Sequence, residues 1–154
     1  YKYKFINIFN SLPKASHVVL SIGEIDCRIN EGIYDYSNKN SLDHYKIADF
    51  TIKNYLDYIK KSNIKNNHKI IIQGIPCPNI DITKIENQKF FKYLDFVKYF
   101  NKSLENNSIN LKFNFLNLYD LTNRGDGYSN QIWHLDNYHL KPDIKKKTLS
   151  EIKL

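Results

Sequence analysis

The 154-residue sequence predicts an α/β fold in which a parallel β-sheet carries helices on both faces. Three observations predict it. Short apolar, β-branched runs alternate with longer segments whose apolar residues recur every three to four positions. The first two of those runs end at residues that stop a strand, Gly23 in one case and Pro76 and Pro78 in the other. No internal repeat, low-complexity tail or second domain interrupts the alternation.

The elements follow in order. Phe5, Ile8, Phe9 and Leu12 lie at helical spacing, and Pro13 stops that helix. His17 to Ile22 is a short β-branched run ending at Gly23, which reads as a buried parallel strand. Ser41 is placed to cap a long helix reaching about Lys61, with Tyr45, Ala48, Ile52, Tyr55, Leu56 and Ile59 as its apolar stripe. After a polar loop from Asn63 to His68, Lys69 to Ile75 reads as a second buried strand. Thr83 and Glu86 have the spacing of a capping box. The helix they would open carries Phe90, Leu94, Val97, Phe100 and Leu104 on one face and ends in Asn106 to Asn110. Leu111 to Leu118 is a third strand, with Leu111, Phe113 and Phe115 alternating against Lys112 and Asn114. A loop from Asn123 to Asn130 leads on to Asp136 and His139. Pro142 then suits the first turn of a last helix with Ile144, Leu149 and Ile152 as apolar positions.

Composition narrows the function. The formal charge is +7, but the lysines are scattered and Arg occurs only at 28 and 124. A phosphate-reading surface would draw on the Arg fork, so nucleic acid is not the expected partner. No run approaches the ~20 apolar residues of a membrane span, and no secretory segment opens the chain. Cys27 and Cys77 have no metal-ligand spacing and read as free thiols, which tilts the open question of compartment toward the cytoplasm. No cofactor or metal is expected.

Two stretches carry chemistry. Asp136 and His139 lie three apart, just before Pro142. A carboxylate that accepts from one imidazole nitrogen fixes the tautomer and frees the other nitrogen to take a proton from a nucleophile. His134, five residues earlier, is the rival base, without a carboxylate at that spacing. The second stretch is Gly23-Glu24-Ile25-Asp26-Cys27-Arg28, at the mouth of the first strand. In extended chain Glu24, Asp26 and Arg28 would share one face, where Arg between carboxylates can stiffen a loop or meet substrate. Trp133 is expected to pack the loop, and Tyr34 and Tyr36 are placed to meet a glycan. Strand ends of a parallel sheet are where ligands bind, which puts 23–28, 76–79 and the Asp136 loop on one edge.

With these residues in view, the chain resembles the SGNH/GDSL hydrolase superfamily. Gly23-Glu24-Ile25-Asp26 is similar to that family's Gly-x-Asn-Asp block, and Asp136-Asn137-Tyr138-His139 to its Asp-x-x-His block before the final helix. The strand ending Gln73-Gly74-Ile75-Pro76 looks like the one between them. The resemblance implies a flavodoxin-like three-layer α/β/α sandwich and cleavage of acyl esters, including those of carbohydrates. It implies His139 as general base, Asp136 as its orienting carboxylate and Gly23 as a point of close backbone approach; Glu24, Asp26 and Arg28, singled out by their charge, would then lie in the substrate and oxyanion region. It departs from the family at Ile25, where the family's Asn donates to the oxyanion, and Arg28 is the candidate to supply positive charge instead. No serine stands in a Gly-Asp-Ser context. With no Met in the sequence and Tyr1 at its start, the expectation is one SGNH-like domain, residues 1–154, lacking its first strands and its nucleophile.

The reading is therefore a serine esterase acting on a small-molecule or glycan acyl ester, its serine contributed upstream. An O-acyltransferase on the same scaffold and a non-catalytic glycan-binding or structural domain are the alternatives. Oligomeric state is not legible. A sheet lacking strands would leave His17 to Ile22 as an unpaired apolar edge, prone to aggregation.

Overall fold

A computed structural model describes residues 2–81, 83 and 87–151. Over these the elements run α1 (Lys2–Ser11), β1 (His17–Ser21), a single 3-10 turn (Ile25–Cys27), α2 (Gly32–Lys39), α3 (His44–Asn63), β2 (Lys69–Gln73), α4 (Asn87–Asn110), β3 (Asn114–Leu116), α5 (Leu118–Thr122) and α6 (Ile144–Glu151). The fold is mixed α/β with an open, all-parallel sheet in the order β1-β2-β3.

Strand alternation sends side chains to two cores. Val18 and Leu20 on β1, Ile70 and Ile72 on β2 and Phe115 on β3 belong to the larger one. It also takes Ala48, Ile52, Leu56 and Ile59 of α3 and Phe96, Val97, Phe100 and Leu104 of α4. Ile71 and Leu116 point the other way and join Leu118 and Ile144, with Trp133 and Leu140 packed against them. Ile70, Ile71 and Ile72 are all buried, which is why β2 reads as an unbroken apolar run.

β1 departs from its expectation. It pairs only with β2 among the described residues, so it lies at an edge rather than inside the sheet. His17, Val19 and Ser21 are exposed, Val19 by 44 %. Its apolar run reflects one half-buried face, that of Val18 and Leu20, which sequence alone cannot distinguish from two buried ones.

Element boundaries shifted where the deciding signal was local. Residues 32–39 form a helix that the polar sequence did not announce; Ile33, Tyr34 and Ser37 bury its inner face. The next helix is not capped by Ser41, which adopts a left-handed φ of 53°. Asp43 caps it instead, accepting from the amides of Tyr45 at 2.9 Å and Lys46 at 3.2 Å. β1 and β2 stop at Ser21 and Gln73, short of Ile22 and Ile75. α4 continues through Asn110, so the Asn-rich stretch is helical. Lys112 then turns with φ 62°, leaving only Asn114–Leu116 as strand before Asn117 caps α5 on the Asp120 amide. Pro142 precedes α6 by two residues rather than opening its first turn. Glu86 of the expected capping box, Ile152 and the Leu149 side chain lie outside the description; Thr83 donates its hydroxyl to Asp81 at 2.7 Å.

Candidate functional site

The Asp136–His139 pair is built by its own loop. Leu135 N–H donates to the His139 carbonyl at 2.8 Å and Lys141 N–H to that of Trp133 at 2.8 Å, closing a small antiparallel bridge between His134 and Leu140. Inside it, Asp136 Oδ1 accepts from the amides of Tyr138 and His139, each at 2.8 Å. That turn swings the imidazole back, and His139 Nδ1 meets the carboxylate at 3.0 Å and 2.8 Å. With Nδ1 donating to Asp136, Nε2 is left as the proton acceptor. The Tyr138 and His139 amides, followed by the His139 ring, hold the Asp136 carboxyl at about 2. Asn79 Nδ2 donates to the Asp136 carbonyl at 3.1 Å and ties the loop to the segment after β2.

The turn after β1 is not extended. It closes as a 3-10 turn, so Glu24, Asp26 and Arg28 do not share a face. Arg28 folds back four residues onto Glu24, donating from Nε at 2.8 Å and Nη2 at 2.9 Å, and from Nη1 to Glu31 at 2.6 Å. Asp26 leaves the cluster and accepts from the Tyr55 hydroxyl at 3.0 Å. Burial, and then the Asp26 charge, push that phenol up to about 12. The Ile25 side chain is 61 % exposed. Gly23 has φ 90°, and a Cβ there would stand 2.6 Å from Phe100 Cε1. Its lack of a side chain is thus required by the core beneath the turn.

The two stretches meet at the carboxyl ends of β1 and β2. A cleft of about 250 Å³ is lined by Ser21, Glu24, Gln73, Pro76, Tyr138 and His139 among others. Of the residues singled out from sequence, Glu24 and His139 face this cleft together, and Asp136 backs the imidazole. Asp26 is directed to α3. Arg28 instead lines an adjoining cavity of about 20 Å³ with Glu24, Cys27, Cys77, His134 and Tyr138. Its guanidinium carbon lies 4.4 Å from the centre of the Tyr138 ring.

Sequence reading passed over Ser21 and Gln73. They are register partners, and Gln73 Nε2 donates to Ser21 Oγ at 3.2 Å. The available signal was that each is the polar residue closing an apolar run.

His134 is only 5 % exposed, and Ser129 Oγ lies 2.8 Å from its Nδ1. Ser129 also accepts from the Gln131 amide at 2.9 Å, so its hydroxyl proton is free for the imidazole. His134 Nε2 is buried and closes no hydrogen bond, and burial lowers the ring's affinity for a proton. Cys27 and Cys77 are buried free thiols; burial pushes Cys77 up to about 12 and Cys27 well above its ordinary value. Neither is an activated nucleophile. Tyr34 is buried and donates to the Lys89 carbonyl, which removes it from any glycan surface; Tyr36 is 56 % exposed. Trp133 packs against the second core.

Among the described residues no three His, Cys, Asp or Glu side chains are grouped to hold a metal, and no helix is long and apolar enough to cross a membrane. No family model matches the chain, and none of the curated proteins matches its sequence.

Proposed function

We propose that this chain is part of an SGNH/GDSL-type serine esterase, with a flavodoxin-like three-layer arrangement around its parallel sheet. One observation carries the reading: Asp136 grips His139 Nδ1 at 2.8 Å at the rim of a cleft where β1 and β2 end. An imidazole so oriented can act as general base.

In this mechanism a serine from outside these residues attacks the acyl carbon, and His139 Nε2 takes the hydroxyl proton. Asp136 steadies the imidazolium. The proton passes to the departing alkoxide, and water then repeats the sequence on the acyl-enzyme. The polar wall of Ser21, Glu24 and Gln73 suits the hydroxyls of a sugar, which favours an acylated carbohydrate over a lipid ester.

The test is turnover of a short-chain acyl ester by the full-length protein. His139→Ala should lower kcat/KM by about 10²–10⁴, the usual contribution of a positioned acid–base group. Unchanged turnover would remove the assignment. Product transfer to an added glycan exceeding hydrolysis would assign the same residues to an O-acyltransferase.

The exposed Ile25 favours a second reading, a non-catalytic glycan-binding domain of the same type, because loss of an oxyanion donor costs ~10²–10³ in rate. Glycan binding by a protein that turns over no ester would select it.

A further inference from the structure

We propose that Arg28 and Tyr138 form a positioning clamp that holds the His139 loop over the strand ends, in place of the oxyanion role that its charge suggests for Arg28. The inference rests on His139 being the general base.

Three of the guanidinium's five N–H donors are already committed. Both oxygens of Glu24 and one of Glu31 take its hydrogen bonds, at 2.8, 2.9 and 2.6 Å. Two carboxylates neutralise it, so little positive field is left for a developing oxyanion. Beyond those bonds, the guanidinium carbon lies over the Tyr138 ring, 4.4 Å from its centre. An Arg plane over an aromatic ring is an attractive cation–π contact, strengthened when partly desolvated. Here the Arg28 side chain is only 23 % exposed.

Tyr138 is a useful point to hold. It precedes His139, and its own amide is one of the two that grip Asp136 Oδ1. Fixing its ring fixes the turn that presents the carboxylate to the imidazole. The opposite side of the loop is held by Asn79 on the Asp136 carbonyl. The clamp therefore links the turn after β1 to a loop more than 100 positions later, across the site they share.

The experiment compares Tyr138→Leu, Tyr138→Phe and Arg28→Lys in the full-length protein. Two readouts are taken: ester kinetics and the pH titration of the Asp136 carboxyl carbon by NMR. In the parent protein the Tyr138 and His139 amides, followed by the His139 ring, hold that carboxyl below the ordinary carboxylate value. Tyr138→Leu and Arg28→Lys should move it upward toward the ordinary carboxylate value and lower kcat about tenfold with KM little changed. Tyr138→Phe, which keeps the ring, should restore both.

An unmoved titration and kcat in Tyr138→Leu would overturn the clamp. So would a Tyr138→Phe as damaged as Tyr138→Leu. Loss confined to Arg28→Lys, with Tyr138→Leu intact, would return Arg28 to the oxyanion. If the parent protein turns over no ester while Tyr138→Leu still shifts the Asp136 titration, the hydrolase reading falls and the loop clamp stands.

Discussion

His134 and His139 stand five positions apart in one loop and occupy opposite surroundings. His139 is exposed and carboxylate-bound; His134 is buried against Ser129. Burial holds the His134 imidazole below its ordinary value of 6.5, and does the same to His44. The folded chain then binds fewer protons than the unfolded chain once the pH drops below about 6.5, so acid favours unfolding. Asp136 acts in another window: its stabilisation is complete above the unfolded carboxylate value and is lost as the pH falls through about 2. Between pH 7 and 5 the buried His134 and the half-buried His44 should therefore lower the melting temperature. His134→Asn, which cannot gain the proton, should make that fall shallower in a thermal scan. A slope identical to the parent's would show that His134 charges without cost.

At the scale of elements, long apolar stripes were legible and short helices were not. Ala48, Ile52, Leu56 and Ile59 are buried in α3, whereas Tyr45 and Tyr55 of the expected stripe are exposed; Phe90, Leu94, Val97, Phe100 and Leu104 are buried in α4, at the positions their period predicts. α2 and α5 escaped because eight- and five-residue helices hold too few apolar positions to set a period. The choice between Ser41 and Asp43 as cap was a matter of backbone: the left-handed φ at Ser41 belongs to a turn before the helix. Asp43→Ala should cost about 1 kcal/mol in urea denaturation, the usual worth of a side-chain cap, whereas Ser41→Gly should cost nothing, its φ being one that glycine adopts freely. A loss from Ser41→Gly with Asp43→Ala neutral would return the cap to Ser41.

At the scale of the whole molecule, the sheet has an unequal pair of faces. α3 and α4 cover the side of Ile70 and Ile72, whereas the second core gathers over Ile71 and Leu116 and leaves Val19 of β1 exposed. An edge strand with unpaired backbone and an apolar residue in water is a template for pairing with another chain. Concentrated solutions of the 154-residue chain should associate, as seen by light scattering, and Val19→Lys should suppress this. The change at so exposed a position should alter stability by no more than ~0.5 kcal/mol. Association undiminished by the lysine would place the contact elsewhere.

The sequence by itself determined the parallel α/β alternation and the Asp136–His139 pair. Both depend on interactions within reach of a few residues: a period of apolar side chains in one case, a turn closed by two amides in the other. It also placed the 23–28 turn and the His139 loop on one edge, because parallel strands deliver their carboxyl ends together. Only tertiary structure decided what the charged residues of that turn do. Asp26 finds Tyr55 on α3, and Arg28 lies over the Tyr138 ring, partners 29 and 110 positions distant. Side-chain chemistry made each residue capable of several bonds; packing of α3 against the sheet, and of the late loop against the early turn, selected among them.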